Sequence, residues 1–248
     1  MQRNALVYRR VWRGSVFSSF LQPTLFLFAM GLGLGAMVDA GGTALPGGVS
    51  YAEFLAPGLL AAAAMQAAGF ESTYPVLGKM TWFRNYDAIL STPMRIVDLV
   101  FGELAWIAVR LTTIALAFIC VMTAFGIPRS PLVLLAVPAA VLTGLAFAAP
   151  IMAYAATRKT SATFNVLFRF VITPLFLFSG VFVPIGRLPE PLVRAAWFTP
   201  LFHGVELVRG LTLNSLEPGW IVHVLFLGTF AAGGAALAVR NFRRRLYA

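Results

Sequence analysis

Six long apolar runs separated by short polar stretches dominate the chain, at residues 17–38, 54–76, 99–125, 132–155, 164–183 and 220–239. Each holds roughly 20 residues, enough for an α-helix rising 1.5 Å per residue to cross a ~30 Å hydrocarbon core. Inside lipid every backbone N–H and C=O must find a partner within its own segment, so helices are the expected form. The pattern predicts an all-α integral membrane protein: six transmembrane helices in a single domain over residues 1–248.

Two stretches break this pattern. Residues 1–14 mix Leu6, Val7, Val11 and Trp12 with four arginines, which reads as an amphipathic helix lying on the inner membrane surface. Residues 184–219 are too aromatic for an aqueous loop, with Trp197, Phe198 and Phe202. They are also too interrupted for a span, with Pro184, Pro189, Pro191, Pro200 and Pro218. Two short helices that dip into the outer leaflet and break near Pro200 satisfy both observations, forming a re-entrant hairpin before the sixth span. An amphipathic hairpin resting on the surface is the other reading.

Composition agrees with the pattern. Hydrophobic residues make up 59% and charged residues only 11%, whereas soluble domains are about 25% charged. A net charge of +10 would raise the question of nucleic acid, but the positions of the charges answer it. Arg3, Arg9, Arg10 and Arg13 precede the first apolar run, and Arg240, Arg243, Arg244 and Arg245 follow the last. Such residues meet anionic headgroups and set orientation, so the bilayer is the expected partner. Lys79, Arg84, Arg95, Arg158 and Lys159 fall in the same set of alternate connections, which places both termini in the cytoplasm. The first run is too long for a signal-peptide core and is expected to remain as a span. The lone Cys120 lies in an apolar run and supports neither a disulfide nor a thiolate metal site.

Catalytic signatures are not found. Gly78-Lys79 is followed by Met80 and lacks the glycine spacing of a phosphate-binding loop, so no ATP site is expected on this chain. His203 and His223 do not have metal-protease spacing, and His203 reads as a polar group of the hairpin. More informative are the charges inside spans. Arg110 lies near the middle of the third span, where an unpaired arginine costs on the order of 3 kcal/mol. Glu103 lies seven residues earlier, two turns away on the same face. Glu71 and Arg169 reach similar depth on the second and fifth spans. One buried ionic cluster of Glu71, Glu103, Arg110 and Arg169 is expected, acting either as a static pin or as a gate.

The inner connection after the second span carries a short helix that Asn85 or Asp87 can cap and Pro93 can stop. Ile89 and Leu90 are expected to be exposed on it, as a docking surface or as a face lying on headgroups.

The run Ala52-Glu53-Phe54-Leu55-Ala56-Pro57-Gly58, then Phe70-Glu71-Ser72 and Tyr86-Asp87-Ala88-Ile89-Leu90-Ser91-Thr92-Pro93, resembles permease subunits of type-2 ABC exporters. Phe178-Ser179-Gly180-Val181-Phe182, Leu188-Pro189 and Thr199-Pro200-Leu201-Phe202-His203-Gly204-Val205-Glu206-Leu207-Val208-Arg209-Gly210 resemble the same family's outer hairpin. The likeness is closest to the lipo-oligosaccharide (nodulation factor) and daunorubicin exporter branch. It implies a cytoplasmic coupling helix at residues 83–93, with Asn85, Tyr86, Asp87, Ile89, Leu90 and Pro93 toward a separate ATPase subunit. It implies that Pro200, His203, Glu206 and Arg209 belong to the re-entrant pair. It also implies two permease copies with two ATPases, ATP and Mg held by the latter, and outward movement of amphiphiles. The residues themselves leave two rivals: a secondary transporter or channel using Glu71, Glu103 and Arg110 as a proton relay, and an intramembrane enzyme.

Overall fold

The computed structural model describes residue 21, residues 24–40, residue 45 and residues 48–247. The expected surface helix over residues 1–14 lies outside them. A π-wound run, Leu27–Leu34, leads into α1 (Gly35–Ala40), and the long helix α2 (Tyr51–Thr81) follows. A short α3 (Asn85–Leu90) precedes α4 (Ile96–Ala124). A 3-10 turn, Pro131–Leu135, opens α5 (Ala136–Ala156). The next apolar run is composite: α6 (Ala162–Leu167), a π segment Phe168–Ile172, and α7 (Thr173–Phe178). Then come α8 (Glu190–Trp197), α9 (Pro200–Leu213) and α10 (Trp220–Leu246).

Among the described residues, four helical segments are long and apolar enough to cross a membrane: Tyr51–Thr81, Ile96–Ala124, Pro131–Ala156 and Trp220–Leu246. Thr24–Met37 and Ala162–Phe178 are shorter apolar helices. The second of these stops at Phe178, short of the expected residue 183. Pro174 has no N–H to give to the helix, and Gly180 turns the chain with a φ of +80°.

α5 is the hub, touching α2, α4, α9 and α10. Small residues permit this. Gly144 of α5 faces Leu111 of α4, and Gly204 of α9 faces Thr143. A Cβ added at Gly234 of α10 would stand 2.5 Å from Pro150 Cδ. Lipid offers helices little hydrophobic drive to associate, so close van der Waals packing of this kind must hold them.

Ser50 caps α2 in a reciprocal box: its Oγ accepts the Glu53 N–H at 3.3 Å, and the Glu53 carboxylate accepts the Ser50 N–H at 2.7 Å. At its other end α2 runs on to Thr81, five residues beyond the expected span. Lys79 therefore stands on the helix, where an acid on α4 matches its charge.

Candidate functional site

Three groups of side chains occupy three levels of the bundle. At the end where α2 meets α4, the backbone turns at Arg84 in the left-handed region (φ 45°) and enters α3. Asn85 is the first helical residue and gives no side-chain cap, contrary to expectation. The helix stops at Leu90, where the Ser91 N–H bonds back to Asp87 O, ahead of Pro93. Tyr86 is buried, its ring centroid 5.7 Å from that of Phe242 on α10. Ile89 and Leu90, expected to be exposed, are half-buried and pack against the core. Asp87 and Pro93 are exposed and Asn85 is half-buried. The most exposed large apolar groups here are Trp82 and Phe83, at 65% and 70% exposure. Hydropathy alone gives no reason to single them out, since they fall beyond the apolar run that ends at residue 76, within the polar connection.

The same end is tied to the C-terminal part of α10. Asn241 Nδ2 donates to Ala153 O at 2.9 Å, and Arg245 donates to the Ala156 and Arg158 carbonyls. Arg245, expected to face headgroups, instead caps the Ala156 carbonyl that ends α5, at the negative end of its dipole, and the Arg158 carbonyl just beyond it.

The second level lies between α2 and α4. Arg110 Nε donates to Glu71 Oε1 at 3.2 Å, and Lys79 Nζ donates to Glu103 Oε2 at 2.6 Å. All four side chains are at most one quarter exposed. The expected single cluster is thus two separate rungs, and Glu103 pairs with Lys79 rather than with Arg110. Arg169 joins neither rung. It is exposed on the π segment, with its guanidinium carbon 6.0 Å from the Phe170 ring centre. The π winding turns residues to other faces than a regular helix would, and Arg169 faces outward rather than toward the pairs.

The third level is the opposite end, where α8 and α9 meet at Pro200. Here α9 is inserted among α2, α5 and α10 with most of its residues buried, while α8 is largely exposed. Thr199 caps α9 by accepting the Phe202 N–H. Pro200 is buried. His203 is fully buried: its Nε2 lies 2.8 Å from Trp197 O and its Nδ1 lies 2.7 Å from His223 Nδ1. Phe226 stacks on the His203 ring at 4.0 Å. Arg209 Nη1 donates to Glu206 Oε1 at 2.9 Å, and its Nη2 donates to Gly180 O at 2.8 Å. The guanidinium also lies over the Phe54 ring at 4.0 Å. Arg129 forms a bidentate pair with Glu53, at 2.6 and 2.7 Å. That hydrogen bonding holds the Arg129 guanidinium pKa above its ordinary value. The Ser50 box could have been read from the sequence; its link to Arg129 could not, because it spans 76 residues.

These groups border a cavity of about 420 Å³ lined by residues from α2, α9, α10 and the connections at 129, 184–186 and 215–217. Among the described residues no group of three or more His, Cys, Asp or Glu side chains is arranged to hold a metal ion.

Residues 1–213 match the family described as ABC-2 type transporter. The chain is 35% identical over 245 residues to "Nodulation protein J" of Rhizobium leguminosarum bv. trifolii, covering 99% of this chain and 92% of that protein. Identity to the protein of the same name from Rhizobium meliloti (strain 1021) is 33% over the same length, with the same coverage. The Azorhizobium caulinodans relative is 32% identical over 211 residues, covering 85% of this chain and 81% of that one. Apolar helices of membrane-crossing length, a separately docked short helix and matches over nearly the whole chain agree: this integral membrane protein belongs to the ABC-2 type transporter family.

Proposed function

We propose that the chain is the permease subunit of an ATP-driven exporter in a bacterial inner membrane, with six spans and both termini in the cytoplasm. Two copies work with two separate ATPase subunits that carry ATP and Mg. The cargo is a lipid-linked saccharide or a similar amphiphile, moved outward. The observation that carries this reading is α3. It is a short helix packed by Tyr86 onto the C-terminal, arginine-rich part of α10, on a chain of the ABC-2 family whose sequence has no phosphate-binding loop. In this orientation the exposed Trp82 and Phe83 face the cytoplasmic boundary beside α3, where an ATPase would dock. The π-interrupted run 162–178 leaves Val166, Phe170 and Leu177 exposed, which suits lipid or the second copy. Glu71 and Glu103 each already hold a cation, which does not favour a proton relay through them.

The test is to co-express the chain with candidate ATPase subunits, purify the complex, and follow movement of a fluorescent lipid-linked oligosaccharide in inverted vesicles. Uptake is expected to require ATP and both subunits. Movement by this chain alone, without ATP, would refute the reading.

A further inference from the structure

One ring, that of His203, joins the end of α8 to α10. Its Nε2 lies 2.8 Å from Trp197 O, and its Nδ1 lies 2.7 Å from His223 Nδ1. The ring is fully buried, with Phe226 stacked on it at 4.0 Å. A backbone carbonyl only accepts, so His203 Nε2 carries a proton. Neutral His203 then has a bare Nδ1, and His223 must donate its own Nδ1–H. A single hydrogen stands between the two Nδ1 atoms. His223 Nε2 is the one ring nitrogen of the pair without a hydrogen-bond partner.

Added protons therefore act in order. The first goes to His223 Nε2, on a half-buried ring that borders the water-accessible cavity. It leaves the Nδ1–H in place and turns the contact into a charge-assisted hydrogen bond. A second proton finds only His203 Nδ1, the acceptor of that bond. Two N–H groups on two cations would then face each other at 2.7 Å, one of them on a fully buried ring, and the contact must part.

The neighbouring charges leave this order intact. Glu206 and Glu217 are the carboxylates that act on His223, and Glu206 is also held by Arg209. On α8, Glu190 pairs with Arg194 at the surface; on α2, Glu53 pairs with Arg129; α5 carries no charged side chain. Among the described residues His203 itself meets no carboxylate, only His223 and the Trp197 carbonyl.

We propose that the His203–His223 pair is a proton-operated latch that holds the turn between α8 and α9 against α10. It stays shut with up to one added proton and is released by the second. The compartment that supplies the protons, the outside, rests on the exporter topology; the latch itself needs neither ATP nor a partner.

The test uses the full chain in lipid nanodiscs, with Cys120→Ala and Ala196→Cys. Ala196 is 5% exposed and lies one residue from the carbonyl that holds His203. Labelling by a membrane-impermeant thiol reagent is followed from about pH 8 to about pH 4.5, across the histidine range. Each rate is divided by that of an exposed thiol at Glu190→Cys, which removes the pH dependence of thiol chemistry. The ratio is expected to rise several-fold as pH falls, more steeply than a one-proton titration. His223→Asn puts an amide near the place of Nδ1, whose N–H or carbonyl can meet His203 in either protonation state, and is expected to stay shut throughout. A buried thiol away from the turn, at Ala235→Cys on α10, is expected to remain unreactive. Loss of the step in His223→Asn, whether that variant labels slowly or quickly at every pH, supports the latch. The proposal is overturned if the parent shows no step, if the step survives in His223→Asn, or if Ala235→Cys reacts in parallel. Export measured in vesicles keeps the two readings apart. ATP-driven export without the pH step sinks the latch alone, and the pH step without export sinks the exporter alone.

Discussion

Lys79 on α2 and Glu103 on α4 meet at 2.6 Å, and eight residues back along α2 and seven residues on along α4 the Glu71–Arg110 pair repeats the contact with the charges exchanged. At 1.5 Å per residue those offsets are about 12 and 10 Å, so two antiparallel helices carry two rungs in register. Each helix presents one acid and one base. A slip of α4 along α2 by one rung spacing, about two helical turns, would set Glu103 against Glu71 or Arg110 against Lys79, so the rungs specify register as well as supplying attraction.

Coupling should follow the rungs. In double-mutant cycles read by thermal unfolding in detergent, Lys79→Met with Glu103→Gln and Arg110→Met with Glu71→Gln should each show about 1–2 kcal/mol of coupling. Glu103→Gln with Arg110→Met should be additive. If that last pair couples as strongly as the others, the two rungs form one network and the register argument fails.

The charges were legible and their pairing only in part: Glu71 and Arg110 fall in one expected cluster and do pair. Hydropathy falls after Val76, so Lys79 reads as a loop residue, and Glu103 is assigned to Arg110 instead of to Lys79. Only the packing of α2 beside α4 shows that the loop residue is helical and already has a partner. The helix break before Pro200 could be read directly, because proline restricts the preceding residue whatever surrounds it. The His203–His223 contact could not, since it joins two elements through a turn whose path no local pattern encodes. Ile89 and Leu90 misled for a related reason: on a helix of six residues, exposure is decided by what the helix lies on.

The docking surface is expected to be Trp82 and Phe83 rather than Ile89 and Leu90. Trp82→Ser with Phe83→Ser should leave the melting temperature of the chain within a few degrees of the parent and strongly reduce ATPase co-purification. Ile89→Asp with Leu90→Asp should instead lower the melting temperature and membrane level, because it places two carboxylates against the core. Reversal of the two outcomes would restore Ile89 and Leu90 as the contact surface.

Adjacent glycines on α10 give an internal control. A Cβ at Gly234 meets Pro150 N at 2.6 Å and Ala149 C at 2.9 Å, so only a backbone shift between α10 and α5 can relieve it. A Cβ at Gly233 meets nothing within 4 Å. Gly234→Ala should destabilise by about 1–3 kcal/mol, while Gly233→Ala should be neutral or slightly stabilising. Equal melting temperatures for the two variants would mean that α10 does not pack on α5 as closely as described.

Arg209 should not tolerate lysine. Its guanidinium spans acceptors on two elements at once: Glu206 Oε1 on its own helix and Gly180 O at the turn after α7, with its flat face on Phe54 of α2. A lysine ammonium is a compact, strongly hydrated charge that can neither lie flat on the ring nor hold both acceptors in one plane. Arg209→Lys therefore keeps the charge and is expected to lose about 2–3 kcal/mol, the scale of a charged hydrogen bond with its partner left buried. Arg209→Met removes the charge, keeps much of the stem packing and leaves Glu206, about one third exposed, able to recover water. The lysine variant should therefore come close to the methionine variant in thermal stability, despite its formal conservatism. Stability of Arg209→Lys equal to the parent would show that charge alone matters here, and that the contacts with Gly180 and Phe54 contribute nothing to holding α9 in place.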